Sequence, residues 1–448
     1  MISKRKMALA LGVALEFFGI RNMPAYGQSE KQDRPNIVLL MADDMGYECL
    51  SAHGALDYKT PNIDRMMEDG IEFSHSYSQP LCTPSRVKIM TGRYNYRNYK
   101  DFGYLDVNEK TFGNVMKEAG YSTCIAGKWQ LNGLKTGREN TLDDKRPQHF
   151  GFDEYCLWQL TKTKRQGERY ASPLIEENGK VLPDTDGRYG PDIFSDYVVD
   201  FIRRKKDKPF FVYYPMVLVH DPFVPTPDSK DWADKNKRFK DRPEYFADMM
   251  AYTDKIVGKI RTALEREGVA DNTIFIFTAD NGTSIRINSR TKNGNIQGGK
   301  GQTLTKGHHV PMVAVWPKYK AKGKRYEGLI EFSDFLPTIA EAGGADIPEN
   351  IDGKSFLPIL KGRRHKDRET IFVHYDPMKR LKAPRKTGRF CRDLEYKLYH
   401  DGRFYFLPED LQELSPLEDK DLDKKARKAK AKLAKELNKA PAWSPRKI

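Results

Sequence analysis

Cysteine is scarce in this 448-residue chain: Cys49, Cys82, Cys124, Cys156 and Cys391, with no Cys-x-x-Cys pair among them. That spacing argues against a thiolate zinc site or a disulfide framework, and it assigns no bridge. Long apolar runs are missing as well. The stretch from Met7 to Leu15 is too short to span a bilayer, so no stable membrane insertion is expected. No arginine-rich stripe, zinc-finger spacing or aromatic RNA-binding motif accompanies the formal charge of +15, which argues against nucleic acid as a partner. Internal repeats and long low-complexity tracts are also absent.

What is present is globular: 39% hydrophobic residues and length enough for one large α/β domain plus a smaller one. The basic excess points to an acidic partner, a membrane surface or an anionic polymer. Much of it lies after Lys420, so it describes one end more than the fold. Lys4-Arg5-Lys6, the apolar run and the small residues around Ala25-Tyr26-Gly27 read as a secretory signal over 1–27. Glu16 interrupts the run and leaves an uncleaved anchor as the alternative. The expected location is periplasmic or secreted.

Asn36 to Ala42 is a continuous apolar run of the kind buried on both faces of a sheet, and Asn272 to Thr278 is another. Strands are also expected at 121–126, 209–214 and 310–316, with helices from Thr60 to near Gly70 and at 110–119, 192–204, 245–267 and 333–342. Residues 131–188 read as polar loops over the sheet face. The alternation predicts an α/β fold with a mostly parallel central sheet flanked by helices, over 34–362. From 363 to 448 the pattern changes to short strands, with an Asp401-Gly402 hairpin turn, and predicts a small antiparallel subdomain with a basic helical tail. The tail's thin stripe of Leu422, Ala426, Ala429, Leu433 and Leu437 suits a helix on the protein or on an acidic surface. A solvated helix without function is the preferred reading there.

One stretch stands out: Cys82-Thr83-Pro84-Ser85-Arg86, continuing to Thr91-Gly92-Arg93. Pro84 suits the first turn of a helix, which would place Cys82 at a mouth of free N–H groups with Arg86 one turn on. A thiolate nucleophile facing an anion site is one reading, and a buried structural cysteine the other. Elsewhere, Asp43-Asp44, His220 and Asp280-Asn281 follow the ends of apolar strands, where ligands sit in open parallel sheets. Three carboxylates and an amide carbonyl are hard ligands, suited to Ca²⁺ or Mg²⁺. Each pair alone also fits a turn or cap.

These motifs, with Thr60-Pro61-Asn62-Ile63-Asp64-Arg65, Gly127-Lys128-Trp129 and Gly299-Lys300-Gly301, resemble the type-I, formylglycine-dependent sulfatases of the alkaline-phosphatase-like superfamily. The resemblance runs from Asn36 to about Asp419. It implies that Cys82 is oxidised to formylglycine by a separate maturation enzyme, and that one hydroxyl of the hydrated aldehyde attacks sulfur. It implies a cation, Ca²⁺ ahead of Mg²⁺, on Asp43, Asp44, Asp280 and Asn281. Arg86, Lys128 and Lys300 would balance sulfate charge, and His220 would protonate the leaving oxygen. Two positions depart from the family. Gln130 stands where a histidine usually follows Gly-Lys-Trp, and an amide donates a hydrogen bond without shuttling a proton. In the loop after Lys300, Thr305 replaces an acidic residue and His309 an arginine. The substrate these features imply is a sulfated saccharide or polysaccharide fragment, touched by Lys128, Gln130, His220 and Lys300. A phosphoester or phosphonate-ester hydrolase and a non-catalytic binder of sulfated glycans are the alternatives.

Overall fold

The chain's structure, a computed structural model, describes residues 34–134, 136–162, 168–377 and 387–444. The expected leader over 1–27 lies outside them. The central sheet takes β1 (Asn36–Ala42), β2 (Ile71–Tyr77), β3 (Ser122–Lys128), β4 (Glu154–Trp158), β5 (Ile175–Glu177), β6 (Lys180–Val181), β7 (Phe210–Pro215) and β8 (Thr273–Ala279). A separate hairpin of β9 (Asn288–Thr291) and β10 (Gly294–Gln297) precedes β11 (His309–Val310), β12 (Met312–Val315) and β13 (Lys324–Glu331). Five strands, β8-β1-β7-β3-β4, run parallel through the middle. All seven residues of β1 are buried, as an apolar strand covered on both faces must be. Helices Gly190–Lys205 and Phe246–Arg266 bury apolar stripes in the same core.

The register of these strands builds the site. Ala42 pairs with Ala279 at the carboxyl ends of β1 and β8, so Asp43-Asp44 and Asp280-Asn281 emerge side by side. In β3, Gly127 has a φ of +110°, and a Cβ there would lie 2.2 Å from the Pro215 carbonyl. Only glycine permits that approach just before Lys128.

Two readings of the sequence change here, and two strands are new. Residues 131–188 are not only loops: β4 lies within them, parallel to β3 and buried from Tyr155 to Trp158. Five residues between long polar stretches give too short a pattern to separate strand from loop. The strand expected at 310–316 is broken at Pro311, and β12 runs antiparallel to both β8 and β2. β2 and β13, which pair in parallel, mix polar and charged residues with apolar ones: β2 is half-covered at Glu72 and His75, and β13 is exposed where it begins and buried where it ends.

The C-terminal strands β14 (Ile371–Tyr375), β15 (Gly388–Arg392), β16 (Tyr396–Tyr399) and β17 (Phe404–Phe406) form a four-stranded antiparallel sheet. Alternation gives it two apolar faces. Val373, Tyr375, Phe390 and Tyr399 pack with Leu81 and Cys82. Phe372, Cys391, Leu398 and Phe404 pack with the helix Lys424–Leu437. The tail stripe of Leu422, Ala426, Ala429, Leu433 and Leu437 is therefore buried on this sheet, not solvated. Among the described residues no helix is long and apolar enough to cross a membrane.

Candidate active site

Asp43, Asp44, Asp280 and Asn281 are all fully buried. Backbone bonds fix them: Asp43 N–H donates to Leu218 O at 2.7 Å, and Asp280 N–H to Ala42 O at 2.9 Å. Asp44 adopts a φ of +65°, a conformation that aspartate tolerates better than most residues, and its N–H reaches Asp280 Oδ1 at 3.1 Å. Asn281 Nδ2 donates to Asp44 Oδ1 at 2.8 Å. Two acceptors in this cluster, Asp43 Oδ1 and Asn281 Oδ1, have no hydrogen-bond partner. Buried oxygens left this way are costly unless a cation takes them, and hard oxygen donors fit Ca²⁺ or Mg²⁺. Burial and the charge of Asp43 push the Asp280 carboxyl up to about 8, since neighbouring carboxylates resist ionising together without a cation.

Cations surround the carboxylates. Lys128 Nζ lies 2.7 Å from Asp43 Oδ2, Lys300 Nζ lies 2.5 Å from Asp44 Oδ2, and Arg86 Nη2 lies 3.4 Å from Asp280 Oδ2. Arg86 also donates to Lys128 O at 2.7 Å, which ties the helix Cys82–Thr91 to the end of β3. Burial raises Asp43, but Lys128, His220, Arg86 and Lys300 outweigh it and hold the carboxyl well below its usual range. His220 follows β7, with Nε2 2.8 Å from Lys300 Nζ and Nδ1 2.6 Å from Asp221 O. Burial is the largest influence on His220 and pushes it down, so the neutral ring accepts at Nε2 from the Lys300 ammonium.

Cys82 opens the helix Cys82–Thr91, with extended Leu81 before it and Pro84 in the first turn. Gly92 closes it in a left-handed conformation, its N–H bonded to Lys88 O. Lys88 forms a fully buried pair with Glu331 at 2.6 Å, and breaking such a pair costs about 3–5 kcal/mol. The helix is thus pinned along its length. Cys82 is 2% exposed, and burial pushes its thiol up despite Lys128 and Lys300 nearby. The reading of a thiolate at the helix mouth is corrected: desolvation of the sulfur outweighs the local positive field. All five cysteines are unpaired and buried.

Gln130, two residues beyond Lys128, has a φ of +49°, and its N–H donates to Gln159 O at 3.3 Å. Its Oε1 is buried without a hydrogen-bond partner. The structure therefore gathers Asp43, Asp44, Asp280, Asn281, Arg86, Lys128, His220 and Lys300 through direct contacts, with Cys82 in the electrostatic field of Lys128, Asp280, Asp43 and Lys300.

Sequence reasoning missed two further residues, Arg169 and Tyr170. Arg169 is fully buried, Nη1 lies 3.8 Å from Asp43 Oδ2, and its guanidinium lies 4.0 Å from the Trp158 ring. The single Tyr170 O–H is shared between Val217 O at 2.8 Å and His220 O at 2.5 Å. The Arg-Tyr dipeptide sits in a polar stretch with no periodicity, so only the fold exposes it. Arg86, Lys128, Arg169 and Lys300 thus converge on Asp43, Asp44 and Asp280, with the Asp221 carboxylate beside them at His220. Fixed cations gathered at one place suit an anionic substrate.

A sulfatase family model matches residues 35–345, and a model of the C-terminal part of N-sulphoglucosamine sulphohydrolases matches 301–441. The chain belongs to the sulfatase family. It is a sulfuric ester hydrolase with an alkaline-phosphatase-like fold. It is 30% identical to arylsulfatase A of Homo sapiens over 377 residues, covering 76% of this chain and 70% of that one. It is 27% identical to an N-acetylgalactosamine-6-O-sulfatase of Bacteroides thetaiotaomicron, covering 82% and 84%. Among solved structures it resembles Ps i-CgsB in complex with a neocarrahexaose, with 27% identity, a TM-score of 0.71, and coverage of 91% and 92%. In this sulfatase the two models overlap on residues 301–345, which include the loop that follows Lys300.

Proposed function

We propose that this sulfatase is exported and removes sulfate esters from a sulfated carbohydrate, using a formylglycine made from Cys82 and a divalent cation. The observation that carries the mechanism is the pair of unpartnered hard oxygens, Asp43 Oδ1 and Asn281 Oδ1, in a cluster whose carboxylates hold Lys128 and Lys300 in place. The carbohydrate substrate is supported by the similarity to an N-acetylgalactosamine-6-O-sulfatase and to a solved structure in complex with a neocarrahexaose. Export rests on the basic start and apolar run within residues 1–27.

Asp43, Asp44, Asp280 and Asn281 would hold Ca²⁺, whose chemistry there is to polarise a sulfate oxygen and favour an ionised hydroxyl. As formylglycine, residue 82 would supply an oxygen nucleophile in place of the thiol that burial keeps protonated. Arg86, Lys128 and Lys300 neutralise the ester's charge with cations that are fixed before substrate arrives. His220, with Nδ1–H held by Asp221 O, would take at Nε2 the proton that the Lys300 ammonium donates there and pass it to the leaving oxygen. Gln130 supplies an amide where an acid–base group serves relatives, so water or another base completes release of the enzyme-bound sulfate.

The test compares sulfate and phosphate release from matched aryl esters, using chain co-produced with a formylglycine-generating enzyme. Sulfate release dominates, peptide mass shows residue 82 as the aldehyde or its hydrate, and Cys82→Ala lowers turnover by about 10⁴-fold or more with folding intact. Dominant phosphate release points to phosphoester chemistry, and an unmodified Cys82 thiol points to a binder. Full activity in Cys82→Ala refutes the nucleophile.

A further inference from the structure

The positive charge at the end of the chain is sorted by the fold. The helix Lys424–Leu437 opens on Asp423, whose carboxylate accepts from Ala426 N–H at 2.7 Å, and buries Ala426, Ala429, Leu433 and Leu437 on the C-terminal sheet. At about 100° per residue, Lys424, Arg427, Lys428 and Lys435 share the opposite side, within about a third of the circumference. All four are exposed. Other cations are paired along the flanks and at the end: Lys425 with Glu395 at 2.8 Å, Lys432 with Asp393 at 3.0 Å, Lys430 with Asp419, and Lys439 with Glu436 at 2.7 Å. Among the described residues the outer four make no ion pair, and Glu436, the carboxylate within the helix, is held by Lys439. The stripe runs about 16 Å, at ~1.5 Å per residue, on a helix fixed by its packing.

This chemistry selects an occupant. A helix enters a membrane surface by its apolar face, and here that face lies against Phe372, Cys391, Leu398 and Phe404. Single-stranded nucleic acid needs rings on which bases stack, and the outer face has none. A row of ammonium and guanidinium groups fits a row of permanent anions. Sulfate esters repeated along a polysaccharide are such a row, and sulfate esters are what this family hydrolyses.

Position sets the length of that polymer. The opposite face of the same sheet packs Leu81 and Cys82. With packed layers about 10 Å apart and a helix radius near 5 Å, the stripe stands on the order of 20 Å from residue 82. Only a substrate of several sugar rings reaches both.

We propose that the outer face of this helix is a docking surface for a sulfated polysaccharide, holding one stretch of the polymer while a sulfate on another stretch reacts at residue 82. Holding one stretch raises the concentration of the rest at the pocket without a new contact there. The inference rests on the reading of the chain as a carbohydrate sulfatase.

The test uses the matured full chain carrying Lys424→Gln, Arg427→Gln, Lys428→Gln and Lys435→Gln together. A control with Lys59→Gln, Lys180→Gln, Lys208→Gln and Lys235→Gln removes the same charge from scattered exposed positions. Substrates are 4-methylumbelliferyl sulfate and both the polymers and the disaccharides of chondroitin sulfate and carrageenan. For the glycan that the unaltered enzyme desulfates, the helix variant raises KM for the polymer about tenfold and keeps kcat. Constants for its disaccharide and for the aryl ester stay within about twofold, which also shows that the variant folds. Polymer affinity, measured over a salt series in the Cys82→Ala form, loses about 2 to 3 in the slope of log Kd against log salt. Equal losses on polymer and disaccharide, equal losses in the control, or unchanged polymer kinetics overturn the docking surface and leave the carbohydrate reading intact. Binding to phosphatidylserine vesicles but not to either polymer assigns the stripe to a membrane and overturns it too. An unaltered enzyme that cleaves only the aryl ester overturns both readings.

Discussion

Arg169 Nη1 lies 3.8 Å from Asp43 Oδ2, and both side chains are fully buried. The next residue, Tyr170, holds the carbonyls of Val217 and His220. One dipeptide thus braces a proposed metal ligand and the loop that carries the proposed acid. Tyr170→Phe removes both hydroxyl bonds without changing shape and lowers kcat about tenfold, with KM changed less than about threefold. Arg169→Met lowers kcat about 10- to 100-fold, and Arg169→Lys does not restore it, because an ammonium lacks the plane that lies on Trp158. Steady-state kinetics on an aryl sulfate decide this; recovery by lysine would show that charge alone is needed.

Removing divalent cation leaves Asp43 Oδ1 and Asn281 Oδ1 without partners and Asp280 beside Asp43. Chelation lowers the thermal midpoint, and Ca²⁺ at a hundredfold excess over its Kd raises it again by adding about 2.7 kcal/mol of stability. Asp280→Ala abolishes the Ca²⁺ response in scanning fluorimetry. A midpoint shift of equal size in that variant would place the ion elsewhere.

Gln130 has a positive φ that histidine accepts more readily than most residues, so Gln130→His is compatible with the backbone. Turnover is kept or rises, by up to about 10²-fold if the new imidazole completes acid–base catalysis at residue 82. A loss comparable to that of Cys82→Ala, read in the same assay, shows that the site is built around the amide.

His308 is fully buried with neither ring nitrogen hydrogen-bonded, edge-on to Tyr77 and tilted against Phe390. Burial first, then Lys397, Arg392, His309 and Lys88, hold it well below the usual histidine range. The unfolded chain takes up the proton near pH 6.5 while the folded one does not, so stability is lost as pH falls below that value. The slope from this one group is about 1.4 kcal/mol per pH unit. His308→Leu removes that slope and adds about 1–3 kcal/mol at pH 7 by deleting two unpaired polar atoms. Urea midpoints at pH 7 and pH 5 measure both; an unchanged difference between them contradicts the assignment.

Local chemistry fixed much of this protein from sequence alone. The apolar runs of β1 and β8 end in Asp43-Asp44 and Asp280-Asn281, and strand geometry carries such residues to one end of a parallel sheet. The Cys82-to-Arg86 motif, with Pro84 in place, needs only a helix start to be read. Short or mixed segments were not legible. β4 is five residues long, β2 alternates with charges, and the tail stripe looked solvated until the sheet beneath it was seen. Arg169 and Tyr170 carry no pattern, because their partners Asp43, Val217 and His220 are more than forty residues away along the chain. The state of Cys82 was likewise decided by tertiary structure. A helix mouth favours negative charge, but packing against Val373, Tyr375 and Phe390 removes the water a thiolate needs. Sequence determines which groups are available and roughly where strands deliver them; desolvation and long-range contacts decide which are charged, which are paired and which are held in place.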